Sequence, residues 1–163
     1  MLAILLAPLS LAGPAAAATV PTVKVAAAAT SAPRAYVADS NNNNVDVIDT
    51  GTNTVIATIP VGNSPGGVAA TPDGATVYVT NFFDDTVSVI DAATDTVTAT
   101  IPVGSIPTAV AVAPDGQHAY VANQGDSTVS VIDTAANAVT ATVAVGNSPV
   151  AVAVTPDSNH AYV

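Results

Sequence analysis

Tyr120-Val121-Ala122-Asn123 opens a stretch that continues into Thr128-Val129-Ser130-Val131-Ile132-Asp133. Nearly the same letters stand one interval earlier, as Tyr78-Val79-Thr80-Asn81 and Thr86-Val87-Ser88-Val89-Ile90-Asp91. Tyr36, Tyr78, Tyr120 and Tyr162 each lie 42 residues from the next, and aligning 78–119 with 120–161 gives 26 identities in 42 positions without a gap. A period of about 40–45 residues built from short strand-like pieces is that of propeller blades; helical repeats of similar length would space their apolar residues by roughly 3.6. The expected fold is therefore all-β, with blades of four antiparallel strands and about three and a half blades of an incomplete ring.

One unit shows the order of strands. Ala109-Val110-Ala111-Val112-Ala113 is apolar on both faces and small enough for the narrow inner end of a radial wedge, so it is the expected innermost strand. Pro114-Asp115-Gly116 then turns the chain, since Pro sets φ and Gly tolerates positive φ. Ala119 to Asn123 and Thr128 to Asp133 follow as strands, the latter alternating valine with hydroxyl, and Val139 to Val145 forms the outer strand. The first unit lacks the inner turn: Thr71-Pro72-Asp73-Gly74 corresponds to Ala29-Thr30-Ser31-Ala32, as terminal repeats are often atypical. The expected organisation is a signal-peptide-like segment over 1–18, an Ala-rich lead-in over 19–35, and repeats over 36–77, 78–119 and 120–161, with the next beginning at 162.

The repeated Tyr-Val-Thr-Asn, Val-Ser-Val-Ile-Asp and Ile-Pro-Val-Gly segments resemble the YVTN-family β-propeller repeat over about 36–163. The resemblance implies a seven-bladed parent of which this chain is a truncated part, of the YncE-like, surface-layer or envelope type. Related propellers include lactonases and haem or quinone dehydrogenases. The Gly-His and Trp-Asp marks of WD40 repeats are absent, with Ile-Asp at 48–49, 90–91 and 132–133 where a Trp-Asp pair would fall.

Bulk composition narrows the function classes. The formal charge is −10, from twelve Asp and no Glu against Lys24 and Arg34, so a nucleic-acid partner would find almost nothing to neutralise phosphate. The chain has no Cys, which excludes disulfides, thiolate zinc sites and a cysteine nucleophile. Leu2 to Ala12 is a short apolar run, broken by Gly13-Pro14 and followed by small residues at Ala15 to Ala18. This reads as a signal peptide, too short for a membrane span, and places the protein outside the cytoplasm, secreted or in the cell envelope, although no basic residue precedes the run.

Several motifs invite chemistry. Gly62-Asn63-Ser64-Pro65-Gly66 matches G-x-S-x-G, but a nucleophile elbow needs a strand entering a helix, and the equivalents at 104–108 and 146–150 mark a blade-to-blade turn. His118 and His160 share a slot with Arg34 and Thr76 and obey the repeat, which favours a strand-edge role over metal ligation. Asp39-Ser40-Asn41-Asn42-Asn43-Asn44 opens like a calcium loop but has Asn44 and Thr50 where Gly and Glu belong, so only weak calcium association is expected. Asp49, Asp91 and Asp133 follow apolar strands and are expected to accept turn N–H groups, which makes them structural like Tyr36, Tyr78 and Tyr120. Phe82 and Phe83 interrupt a turn that is polar in the other units, either as packing or as a partner contact.

The expectation is a non-catalytic binding or structural scaffold with no cofactor. Its partner is a protein or envelope component, and the exposed blade edges favour self-association that completes the ring. The alternative is a fragment of a lactonase-like or cofactor-dependent dehydrogenase-like enzyme whose active-site residues lie in missing blades.

Overall fold

The computed structural model describes residues 33–163, all of which fall within one compact unit, Ser31–Val163. The signal-peptide-like segment and the Ala29 to Ala32 position of the lost turn lie outside the described residues. Among those described, every regular element is a strand.

The first sheet holds β1 (Arg34–Asp39), β2 (Asn44–Asp49) and β3 (Thr54–Pro60), in that order. The second holds β4 (Pro65–Ala70), β5 (Thr76–Asn81), β6 (Thr86–Asp91) and β7 (Thr96–Pro102), and the third β8 (Pro107–Val112), β9 (His118–Asn123), β10 (Thr128–Asp133) and β11 (Ala138–Ala144). A last pair, β12 (Ala153–Val154) and β13 (Ala161–Tyr162), forms a two-stranded sheet. All neighbours are antiparallel, and each four-stranded sheet is a meander in chain order. These are propeller blades, and the sheets straddle the Tyr-to-Tyr repeat boundary because the inner strand of a blade precedes the tyrosine of its second strand.

Local sequence explains the regularity. The turn after each inner strand closes with Gly74 N–H to Thr71 O and Gly116 N–H to Ala113 O, both 2.8 Å, and these glycines take φ of 70° and 74°. Non-glycine residues in the left-handed region also keep the period: Asn43, Asp85 and Ser127; Asn53, Asp95 and Asn137; Ser64, Ile106 and Ser148. Asn, Asp and Ser tolerate this conformation better than most residues, and Ile106, a β-branched residue at φ 54°, is held in it with its N–H bonded to Asp85. A register shift recurs at Val47/Ile48, Val89/Ile90 and Val131/Ile132 against the outer strand, which adds twist to every blade at the same place.

The core lies between blades. One face of the first blade (Val45, Val47, Ile59) meets Val77, Val79 and Ile90 of the second, all at most 2% exposed. The other face of the second blade (Tyr78, Val87, Val89, Ile101) meets Ala119, Val121 and Ile132 of the third. At ~1.5–3 kcal/mol for each buried aliphatic side chain, one such contact contributes on the order of 10 kcal/mol as an upper figure. Single blades would lose most of this, so stability is a property of neighbours. Near the axis the inner strands approach closely: a Cβ on Gly67 would stand 2.9 Å from the Ala109 Cα and 3.0 Å from the Val110 nitrogen.

Candidate functional site

The turns divide between two rims. The β5–β6 turn, 82–85, and the blade-connecting segment, 61–64, share one rim, because Phe82 N–H donates to Ser64 O at 3.1 Å and Phe83 N–H to Asn63 O at 3.3 Å. The β4–β5 and β6–β7 turns lie at the opposite ends of those strands and form the other rim.

On the first rim Phe83 is 73% exposed and Phe82 half-buried, their rings edge to face with centroids 4.9 Å apart. Carboxylates on this rim bind backbone. Asp84 accepts from Asn63 N–H at 2.7 Å and from Asn63 Nδ2 at 2.6 Å, and these two bonds, the backbone one foremost, hold its carboxyl below the usual range. Asp85 accepts from Ile106 N–H at 2.9 Å and Asp126 from Ser105 N–H at 2.6 Å. Beneath them lies a buried network that the sequence reading did not single out. Asn81, 0% exposed, accepts from Gly62 N–H at 3.1 Å and donates to Thr86 Oγ1 and Ser88 Oγ, both at 2.9 Å. Asn123 repeats the two donations to Thr128 at 3.0 Å and Ser130 at 2.9 Å. The recurring Asn-x4-Thr-x-Ser spacing was the available signal.

Gly62 to Gly66 runs from β3 into β4, strand to strand, with Ser64 at φ 51° and its N–H bonded to Asn43 Oδ1. It has no helix behind it and lacks the elbow's geometry. Asp39 Oδ1 accepts from the N–H groups of Asn41 and Asn42, and Oδ2 from Asn42 Nδ2 at 2.6 Å. The Asn42 side chain chiefly, with those backbone groups, lowers the Asp39 pKa. Among the described residues no three His, Cys, Asp or Glu side chains gather as a metal-ligand set.

On the second rim Asp49, Asp91 and Asp133 each accept two N–H groups of the following turn, from residues 51 and 52, 93 and 94, and 135 and 136. Tyr78, 1% exposed, donates its hydroxyl to Asn137 Oδ1 at 2.9 Å, while the buried Tyr36 hydroxyl has no partner among the described residues. Arg34 pairs with Asp95 at 2.9 Å and donates to Ala92 O at 2.8 Å. His118 is half-buried with its ring 6.4 Å from that of Tyr120, and His160 is exposed.

Meandering four-stranded blades packed face to face and linked by inter-blade turns agree with the family profile of YncE-like β-propellers, which matches residues 69–163. The chain belongs to the YncE-like β-propeller family. No curated protein sequence matches it. Among solved structures, hydrazine synthase of Kuenenia stuttgartiensis is similar at 31% identity and TM-score 0.74, covering 77% of this chain and 36% of that one. The dihydro-heme d1 dehydrogenase NirN, in complex with DHE, aligns at 25% identity and TM-score 0.59 over 66% of this chain and 23% of its own. A functionally unknown protein of Desulfotomaculum acetoxidans DSM 771 shares the fold at 23% identity and TM-score 0.66, with 73% and 40% covered. The chain thus spans well under half the length of these propeller-bearing structures.

Proposed function

We propose that this family member is an extracytoplasmic, secreted or envelope-associated propeller segment that works as a non-catalytic binding scaffold, with Phe83 as the contact for a protein or envelope component. The observation that supports it is the 73% exposure of Phe83 in a turn whose counterparts are polar, on a rim whose carboxylates are occupied by backbone N–H groups. Beyond its edge contact with Phe82, a ring this exposed buries little area within its own chain and fits a partner surface. The scaffold carries no resident cofactor. Calcium association at the Asp39–Asn44 turn is expected to be weak, since both Asp39 oxygens already accept hydrogen bonds.

Binding of the chain to isolated envelope fractions should fall about tenfold in Phe83→Ser with an unchanged thermal melt. Equal binding by the variant would refute the contact. Extracytoplasmic placement is tested by N-terminal sequencing of the expressed protein, which should begin after the Ala15–Ala18 run. Light scattering should report self-association; a monodisperse monomer at tens of micromolar would count against ring completion between copies.

A second reading, a segment of a propeller enzyme, draws on the similarity to hydrazine synthase and NirN. Assaying the longest reading frame that contains this chain, with lactones and with added haem or metal, tests it. Turnover would replace the scaffold reading.

A further inference from the structure

The repeat supplies two copies of one inter-blade cleft on the second rim, and only one copy is filled by a cation of the described residues. Between the first and second blades, Arg34 Nη1 lies 2.8 Å from Ala92 O and 2.9 Å from Asp95 Oδ1. Moving 42 residues along, Arg34 becomes Thr76, Ala92 becomes Thr134 and Asp95 becomes Asn137. Thr76 is too short to cross the gap. A cleft of about 310 Å³ stands there, lined by Thr76, Tyr78 and Thr134, with Asp73 and Asp115 at its exposed edge. Tyr78 takes up the Asn137 oxygen that in the first cleft the arginine claims from Asp95. Burial first, and then the negative charge of Asp133, raises the Tyr78 pKa. The residues in the Arg34 slot further along are His118 and His160.

We infer that the cleft between the second and third blades accepts the guanidinium of an arginine on a partner polypeptide, in the manner that Arg34 fills the first cleft. The planar fork suits a backbone carbonyl beside a side-chain oxygen, and partial desolvation over Tyr78 strengthens both bonds. A partner of positive charge is also drawn by the net charge of −10. The inference concerns the opposite rim from Phe83 and does not depend on that residue.

The test is a titration of the whole chain with N-acetyl-arginine amide, followed by amide chemical shifts at 71–78 and 115–137. Saturable shifts confined to those segments are expected, absent with the uncharged isostere N-acetyl-citrulline amide. Asn137→Asp, which restores the carboxylate found at Asp95, should tighten binding about tenfold. Thr76→Arg, which fills the cleft from within, should abolish it while keeping the melting temperature at or above that of the parent. Equal shifts with citrulline, no change in affinity in Asn137→Asp, absence of saturable shifts, or binding seen only after Lys24→Gln would each overturn the inference, the last because the chain's own lysine would then be the occupant. Phe83→Ser should bind the probe as the parent does.

Discussion

Asn81→Ala should be among the most damaging single changes to this protein although the residue touches no aliphatic core. Its side chain is 0% exposed and makes three hydrogen bonds, accepting from Gly62 N–H and donating to Thr86 and Ser88. At a net ~1 kcal/mol per bond the loss is about 3 kcal/mol. The segment that links β3 to β4 is seated against this amide: a Cβ on Gly62 would fall 2.6 Å from the Asn81 Cγ. Urea unfolding followed by circular dichroism would report the change. With m near ~2 kcal/mol/M, the midpoint should fall by about 1.5 M. The Gly62 amide should also lose its hydrogen-exchange protection. Asp39 occupies the same repeat position in the first blade but among the described residues bonds only to its own turn, so Asp39→Ala should shift the midpoint far less. A midpoint for Asn81→Ala within about 0.3 M of the parent, or a larger effect for Asp39→Ala, would refute the view that this network couples neighbouring blades.

Gly67→Ala should destabilise by about 1–3 kcal/mol in the same unfolding assay, because its new methyl would meet the Ala109 and Val110 backbone rather than a movable side chain. Asp39, Asp73, Asp84, Asp91 and Asp157 all have folded pKa values below the ordinary one, each through hydrogen bonds that favour the carboxylate. Their contribution is present above the unfolded pKa near 4 and is lost as pH falls through the lower folded values, so the midpoint should hold from pH 7 to about 5 and decline below about 4. Restoring the interior-blade pattern on the first blade with Asp39→Asn, Asn44→Thr and Asp46→Ser should make copies associate at about tenfold lower concentration by sedimentation; unchanged or weaker association would contradict the role given to those carboxylates.

The blade architecture was legible because a repeat carries its own alignment. The inner strand expected at 109–113 is β8 (Pro107–Val112), the outer strand expected from 139 is β11 (Ala138–Ala144), and the turn at 114–116 closes as its Pro-Asp-Gly letters require. Phe82 and Phe83 were visible only as an interruption; that one ring is sheltered and the other open depends on the fold of the turn against Asn63 and Ser64. The Asn81 network was less legible. Its members are spaced five and seven residues apart on adjacent strands, a pattern that has meaning only once β5 and β6 are paired with Asn81 opposite Thr86. The Arg34–Asp95 pair spans 61 residues between blades, and nothing local announces it.

Period and departure from period therefore carry different information. Positions that keep the 42-residue register at turns, such as Asp49, Asp91 and Asp133, do the same backbone work in each blade, and that common work accounts for them. The first blade departs where interior blades place Asn, Thr and Ser, presenting Asp39, Asn44 and Asp46 instead. Strand alternation sets these on one face with Val37, away from the Val45 and Val47 face that meets the second blade. An Asn-Thr-Ser network is neutral and can be buried when satisfied, as Asn81 with Ser88 is, at 0% and 2% exposure. Two carboxylates on such a face would cost several kcal/mol to bury without donors from the other side. That face is consequently a weaker partner for the plain tyrosine-bearing face of another blade of this repeat and favours a surface rich in N–H groups or positive charge. Arg34, Phe83 and this acidic face are the places where the sequence spends residues on something other than repeating itself, and function is to be sought there first.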